Sequence, residues 1–361
     1  MSRRKKAIHA LNSLKGWKII FPIFIGLLVV GWFLYNEFDL ETFSKLSLGW
    51  NSLFWIFMAF LMMLIRDLGY LFRIRVLSSG DLNWRQCFNV VFLWEFTSAI
   101  TPTMVGGTAA AVVFVNKEGI NVGRSSAIVM LTSFLDELYL IIMFPVLLIL
   151  VKAKALFTIA KTNGIDESFS FSTEFFYFAV IGFGIILLYT SLLSYGLFFN
   201  PPGLKKLLLW IFKIRFLRKW RDKAGEAGDD IIRTSKEFRM KKISFWLKAF
   251  GSTFLSWTAR YWVVNCLILA IVDVSDHFLI YARQLVMWIM MIVSPTPGGS
   301  GLAEFIFSKY LGEFLPLGLA VAMALLWRMV SYYPYLFIGT IMFPRWFRSK
   351  FIKKIVTRKT E

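Results

Sequence analysis

The sequence predicts an all-α membrane protein that crosses the bilayer several times. Of its 361 residues, 57% are hydrophobic and 18% are aromatic, whereas soluble domains are usually about 45–50% apolar. Several apolar stretches are long enough to cross a hydrocarbon core, which takes about 20 helical residues. They run without the alternation of membrane barrels, so the spanning elements are helices. Two other apolar regions are interrupted by proline and glycine.

Six segments are predicted to be full crossings. The first follows a basic N-terminus, and NEFDLE comes after it instead of a small-residue cleavage site, so we interpret it as an uncleaved helix. In chain order, the six are Trp17–Tyr35, Leu53–Ile65, Ala127–Val151, Phe175–Phe199, Phe245–Val272 and Leu315–Phe343.

The charges between these segments predict the orientation, because cytoplasmic loops carry an excess of Lys and Arg. The basic N-terminus and C-terminal tail are therefore expected in the cytoplasm of a bacterial cell, which requires an even number of crossings. The acidic NEFDLE and the mixed segment Lys152–Glu174 are expected outside. The net charge of +19 fits such loops, so we expect no nucleic-acid partner. The loop after the second crossing is placed inside by Arg66, Arg73, Arg75 and Arg85.

The segment 200–243 is densely basic and interleaves Leu, Trp, Ile and Phe with Lys and Arg. This pattern is typical of a helix lying in the cytoplasmic headgroup layer. A cover over the cytoplasmic ends of the protein's own helices explains the pattern equally well. Both interpretations stay open on sequence alone.

The two interrupted regions, Cys87–Val115 and Phe278–Lys309, are broken at SAITPTMVGG and SPTPGGSG. Cys87 to Ile100 is 14 residues, or about 21 Å of helix, too short for a full crossing. We interpret each region as a re-entrant hairpin of two half-helices. The alternative is a pair of kinked full crossings, which would give eight or more helices in all.

The two breaks also indicate an internal repeat. Gly106 and Gly107 lie 192 positions before Gly298 and Gly299, and the same shift maps Asp136 onto Arg328. The repeats are predicted at 1–150 and 174–343 of a single transmembrane domain, 1–361. Each would hold three crossings and one hairpin, so the second repeat is inverted. Inverted repeats with broken helices are common in secondary transporters.

Charged residues within the apolar segments are the candidate site. An ionised group at the bilayer centre costs roughly 2.5–3.5 kcal/mol on insertion scales, so these side chains should face one another or water. We predict a pair between Asp136 and Arg328, and a phosphate contact for Arg260 or Arg328. Glu304 is expected near the cavity, where the half-helix after Gly299 would offer free N–H groups to an anion. The remaining candidates are Glu95, Glu137, Arg283 and the break residues Pro102, Gly106, Gly107, Pro295, Pro297, Gly298 and Gly301.

Other chemistry is not indicated. The two cysteines and two histidines form no cluster with ligand spacing, so we expect no metal, no cofactor and no disulfide framework. We interpret Arg66 and Asp67 as a local pair at the membrane interface. No Ser/His or His/Asp set suggests an intramembrane enzyme.

The run Pro295, Pro297, Gly298, Gly299, Gly301, Glu304, followed by Arg328 on the last long helix, resembles the transmembrane region of lysyl-phosphatidylglycerol synthases. The wider set is known as flippase-like membrane proteins, and the similarity covers roughly residues 10–345. The resemblance implies movement of anionic or modified lipids between leaflets. The soluble aminoacyl-transfer domain of those synthases has no counterpart before Glu361, so we expect no such enzyme activity.

The leading hypothesis is therefore a lipid flippase or transporter for a headgroup that is anionic or contains phosphate. No nucleotide-binding motif is present, so transport would be facilitated or ion-coupled. One alternative is a secondary transporter of a small solute or ion. Another is a non-catalytic partner of an envelope-lipid synthesis enzyme. The expected partners are membrane lipids and either a second copy of the chain or such an enzyme.

Overall fold

Helices make up most of the described chain. The computed structural model describes residues 49–352, apart from 102–103, 164–165, 215–217, 219–220, 293–298, 300 and 317–318. The first predicted crossing, Trp17–Tyr35, lies outside these residues. Within the described residues, four helical stretches are long and apolar enough to cross a membrane, so the prediction of a helical membrane protein is confirmed. They are Trp50–Leu77, Val122–Val151, Thr173–Phe199 and Ala320–Lys350.

The helices are numbered here in chain order. Short turns extend three of them: π-helical turns follow α5 and α12, and a 3-10 turn follows α10. The helices are α1 Trp50–Leu77, α2 Trp84–Ile100, α3 Met104–Lys117, α4 Val122–Val151, α5 Thr173–Ser194, α6 Pro201–Ile211, α7 Arg221–Arg239, α8 Ile243–Leu269, α9 His277–Met291, α10 Leu302–Leu311, α11 Ala320–Ser331 and α12 Tyr333–Phe347. A single helical turn, Ala153–Leu156, follows α4 and is left unnumbered.

Helix α1 is longer than the predicted segment Leu53–Ile65, and this corrects the orientation argument. Arg66, Arg73 and Arg75 lie inside the helix and not in the loop after it. Arg66 and Arg73 are also buried. Basic residues mark a loop only when they are solvated, whereas these two are held by acidic partners within the protein.

Helices α1 and α8 form the most extensive helix contact of the described structure. They approach closely because Gly69 has no side chain: a Cβ there would lie 2.1 Å from the hydroxyl oxygen of Ser256. The same hydroxyl donates a hydrogen bond to the carbonyl of Arg66 at 2.9 Å. Small residues at a crossing allow this approach in membrane helices. The contact places α1 beside the cavity described below.

Both interrupted regions form pairs of short helices. Helices α2, α3, α9 and α10 have 17, 14, 15 and 10 residues, or about 26, 21, 23 and 15 Å, all below the roughly 30 Å of a hydrocarbon core. Gly107 lets α3 approach α2, since a Cβ there would lie 2.8 Å from the Cα of Ser98.

The segment Lys152–Glu174, for which the sequence predicts only a place outside the membrane, contains two strands. Strands β1 (Thr158–Asn163) and β2 (Asp166–Phe171) pair antiparallel, with Thr158 opposite Phe171 and Asn163 opposite Asp166. The sequence carries a signal for this pairing, because Asn163-Gly164 is a typical hairpin dipeptide.

The last long helical stretch is interrupted at Tyr332, the residue between the end of α11 and the start of α12. Pro334 occupies the first turn of α12, and its ring supplies no N–H to continue α11. Residues of both helices line the cavity described next, as does Tyr332 itself.

Candidate functional site

A cavity of about 510 Å³ lies among the helices. Its walls come from α1, α2, α3, α4, α5, α8, α9, α11 and α12, and residues of both breaks also line it. Thr101 belongs to the first break and Gly299 to the second, while Thr108 lies in α3 and Ile292 directly follows α9. The cavity therefore lies where the two interrupted regions meet the long helices. Its charged lining residues are Arg73, Glu95, Asp136, Glu137, Arg260 and Arg328.

On the α4 wall, Asp136 is held by Arg73 of α1. The two side chains form a bidentate pair, with Nη1 2.5 Å from Oδ1 and Nη2 3.1 Å from Oδ2. Trp257 of α8 donates its indole N–H to the same carboxylate at 2.7 Å. Thr253 accepts a hydrogen bond from Arg73 at 3.0 Å. These contacts satisfy Asp136 without Arg328, so the predicted Asp136–Arg328 pair is wrong.

Arg66 forms the centre of a second charged group and is fully buried. Its guanidinium lies 2.9 Å from a carboxylate oxygen of Asp67 and 2.5 Å from one of Glu95, the latter at an angle outside hydrogen-bond geometry. The Tyr335 hydroxyl donates to Asp67 at 2.8 Å. Rings of Tyr70 and Tyr335 flank the guanidinium. Arg66 and Asp67 are thus part of a buried network across α1, α2 and α12, and not the local interfacial pair that we predicted.

On the α11 wall, Arg328 is paired with Glu304 of α10. Nε of Arg328 donates to the carboxylate at 3.0 Å, and both side chains are buried. The other oxygen of Glu304 accepts the backbone N–H of Gly301 at 2.6 Å. A side chain of the chain itself therefore occupies the start of α10, where we predicted free N–H groups for a ligand.

Two charged residues of the cavity have no ion pair among the described residues. Arg260 stacks on Trp288, with 4.3 Å from its guanidinium carbon to the ring centre, and lies 5.5 Å from Trp257. Glu137 has a buried carboxylate oxygen with no hydrogen-bond donor. Both side chains are partly exposed to the cavity. A ligand in the cavity would meet these two side chains without breaking an ion pair of the described residues.

Apart from Arg283, the predicted site residues thus fall into three sets. Glu95, Asp136, Glu137, Arg260, Arg328 and Gly299 line the cavity, and Glu304 lies directly behind Arg328. Gly106 and Gly107 lie in the first turn of α3, and Gly301 immediately precedes α10. The other break residues, Pro102, Pro295, Pro297 and Gly298, lie outside the described residues.

Arg283 lies apart from the cavity lining. Its guanidinium donates to the carbonyls of Tyr310 and Ala155, each at 2.8 Å, and lies 2.9 Å from Glu313. The Tyr310 hydroxyl donates to the carbonyl of Leu156. Arg283 therefore ties α9 and α10 to the turn that precedes the strands.

Sequence reasoning missed the role of Arg73. A signal was present, because Arg66, Tyr70 and Arg73 follow one another at i, i+4 and i+7, which places them on one face of a helix. The indole donors and ring platforms of Trp257 and Trp288 gave no comparable signal. Trp is frequent in this chain, with 14 residues, and its position in the sequence does not tell packing from a site.

Comparison with known proteins covers nearly the whole chain. Residues 19–339 match the family described as the lysylphosphatidylglycerol synthase TM region. A UPF0104 membrane protein of Archaeoglobus fulgidus is 27% identical over 314 residues, which cover 84% of this chain and 87% of the relative. No solved structure matches the chain. The family match includes both interrupted regions and every charged residue of the cavity.

Proposed function

The chain belongs to the family of the lysylphosphatidylglycerol synthase TM region, and we propose that it moves a membrane lipid across the cytoplasmic membrane. The headgroup would be anionic or contain phosphate. The observation that carries the proposal is the cavity, which holds an arginine with no ion pair among described residues. A charged lipid headgroup must cross a region where an unpaired charge is energetically costly. An arginine of opposite charge in the cavity lowers that cost.

Arg260 is the proposed phosphate contact. A guanidinium presents a planar set of donors that matches phosphate oxygens, and stacking on Trp288 holds its plane. Arg328 lines the same cavity, but its Nε is engaged by Glu304. Glu304 is therefore a positioning residue for Arg328 in this proposal, and Arg260 is the first ligand contact.

The proposal includes two inverted repeats, each with a re-entrant pair of short helices. The helix bounds support this: adding 192 to 50–77, the bounds of α1, gives 242–269, and α8 spans Ile243–Leu269. Adding 192 to 84–100, the bounds of α2, gives 276–292, and α9 spans His277–Met291. Irregular backbone between such helices is tolerated in a membrane where it is shielded by protein or lines a cavity.

The test is lipid movement in liposomes that contain the purified protein. Fluorescent lipids with anionic or zwitterionic headgroups are quenched from outside, so loss of protected signal reports translocation. We expect fast movement of the anionic lipid, slowed about tenfold by Arg260→Gln, because a hydrogen bond to a charged group contributes about 1.5–3 kcal/mol. Lys248→Gln, at an exposed position of α8, is the matched control.

Each outcome bears on a different part of the proposal. No movement of either lipid would contradict lipid transport, and uptake of an aqueous solute would then favour the small-solute alternative. Movement that Arg260→Gln leaves unchanged would remove Arg260 from the mechanism. Glu304→Gln should also slow movement, since it removes the charge that holds Arg328. The proposal includes no catalytic step.

A further inference from the structure

Helix α6, Pro201–Ile211, has one face packed on the protein and one face exposed. On the packed side, Lys205 lies 2.6 Å from Asp229 of α7, and Leu209 approaches Gly225. Leu204 lies against Gly196, in the π-helical turn that extends α5. Because these contacts hold the packed side, the exposed face keeps a fixed direction.

The α6 outer face combines apolar and basic side chains. Leu207, Trp210 and Ile214 are 51%, 66% and 52% exposed. Their spacing of three and four residues places them on one side of the helix and of the turn that follows it. Lys206 and Lys213 are exposed beside them. Large apolar side chains exposed together in this way indicate an interaction surface.

The position of α6 indicates what covers this face. The membrane-length stretch Thr173–Phe199 ends with Phe199, which is 77% exposed. Asn200 caps α6 by accepting the N–H of Gly203 at 2.8 Å, so α6 begins two residues after the end of the spanning stretch. A helix that begins directly after a membrane-spanning stretch lies beside the lipid headgroup layer. Trp is enriched in that layer, and Lys contacts anionic lipid there.

We propose that the α6 outer face docks on an anionic bilayer surface, with Leu207, Trp210 and Ile214 entering the headgroup region and Lys206 and Lys213 contacting lipid phosphates. Amphipathic helices with this composition lie in the interface plane. The two sequence-based interpretations of the 200–243 segment then apply to different sides of one unit. The packed side of α6 covers the protein, and the outer side binds lipid. This docking does not depend on the transport proposal.

The experiment places a fluorescent label on the outer face. Leu207→Cys carries the label, and both native cysteines, Cys87 and Cys266, are buried. Glu226→Cys, at an exposed acidic position of α7, is the control. The labelled full chain is placed in phosphatidylcholine vesicles with or without phosphatidylglycerol, and quenching by a lipid-borne nitroxide is compared with quenching by aqueous iodide.

In phosphatidylglycerol vesicles we expect the label at position 207 to be quenched by the nitroxide lipid and protected from iodide, and the label at 226 to show the reverse. Lys206→Gln and Lys213→Gln should each lower the ratio of docked to undocked helix about fivefold. Each basic residue near an anionic surface contributes an electrostatic attraction that corresponds to a factor of about this size. Circular dichroism checks that these variants keep their helix content.

Three results would overturn the proposal. Iodide quenching at 207 as strong as at 226 would place the face in water. Nitroxide quenching that is equal without phosphatidylglycerol and in the lysine variants would show lipid contact without charge recognition. Protection that depends on the protein-to-lipid ratio would identify a second copy of the chain as the occupant.

Discussion

Asp136 and Glu137 are neighbours on α4, and both line the cavity, yet their surroundings differ. Asp136 is held by Arg73 and Trp257, whereas Glu137 has no ion pair among the described residues. The arginines show the same contrast: Arg328 is held by Glu304, whereas Arg260 lies over aromatic rings and has no ion pair among the described residues. Among the described residues, the cavity thus contains paired charges, which connect helices, and two charged residues without an ion pair.

Energetics gives this contrast a testable meaning. Removing one partner of a buried ion pair leaves an uncompensated charge and is strongly destabilising. Removing a charge that has no ion-pair partner leaves no uncompensated charge behind, so it does not destabilise the fold in this way. Substitution of a paired residue should therefore lower the free energy of unfolding, whereas substitution of Glu137 or Arg260 should change the transport rate.

The largest effect is expected at Arg66, which lies close to both Asp67 and Glu95. Arg66→Met should lower the free energy of unfolding by about 3–5 kcal/mol, because two half-buried carboxylates lose the fully buried cation between them. Unfolding of the purified protein in detergent measures the effect. Lys248→Met, at an exposed position, should change stability by less than about 0.5 kcal/mol. Equal behaviour of the two variants would contradict the structural role of Arg66.

The next effect is the coupling between Arg73 and Asp136. Arg73→Met and Asp136→Asn, measured singly and together, should be non-additive by about 1–3 kcal/mol in unfolding free energy, since the two side chains form one bidentate pair. The double variant should lose less unfolding free energy than the sum of the losses in the two single variants. Additive costs would mean that the pair is not formed in the membrane protein.

Glu137→Gln tests the same comparison at a residue without an ion pair. The substitution should leave the free energy of unfolding within about 0.5 kcal/mol of the parent, because no described group is left without its partner. The transport rate should change severalfold, because the substitution removes a carboxylate that faces the cavity and has no ion pair among the described residues. The liposome measurement described above reports it. A loss of stability comparable to that of Asp136→Asn would show that Glu137 is also a structural charge.

The smallest effect is expected outside the membrane-spanning helices, at Glu237 of α7. Burial raises the pKa of Glu237, but Lys241 and Arg124 outweigh it, so the pKa lies below its ordinary value of 4.5. A carboxyl whose folded pKa is lowered stabilises the fold above the unfolded pKa and loses that contribution as the pH falls through the folded pKa. For an exposed pair the contribution is below about 1 kcal/mol.

Hydrogen exchange of α7 amides over a pH series tests this expectation. Protection in the parent should fall towards that of Glu237→Gln as the solution is acidified below the ordinary glutamate range. Lys236→Gln, at an exposed position beside Glu237, is the control. A constant difference between parent and variant at all pH values would argue against a titrating contact.

The sequence predicted much of the helical architecture. The segments Ala127–Val151 and Phe245–Val272 correspond to α4 and α8 within a few residues, because long apolar runs have few alternatives to a helix in lipid. The sequence-based segment ends at Ile65, whereas α1 continues to Leu77, because Arg66 and Asp67 are not at the membrane interface but inside the helix. Whether a charge ends a helix depends on its partners, and those lie on α2 and α12.

The amino-acid sequence by itself determined the fold class, both interruptions and most of the charged residues that line the cavity. It did so because lipid demands apolar helices and makes every intramembrane charge conspicuous. Only the tertiary structure decided which charges are paired: Arg73 with Asp136, and Glu304 with Arg328. The partners lie up to 63 positions apart along the chain, and ion pairing depends on distances of a few ångströms that no spacing in the sequence specifies.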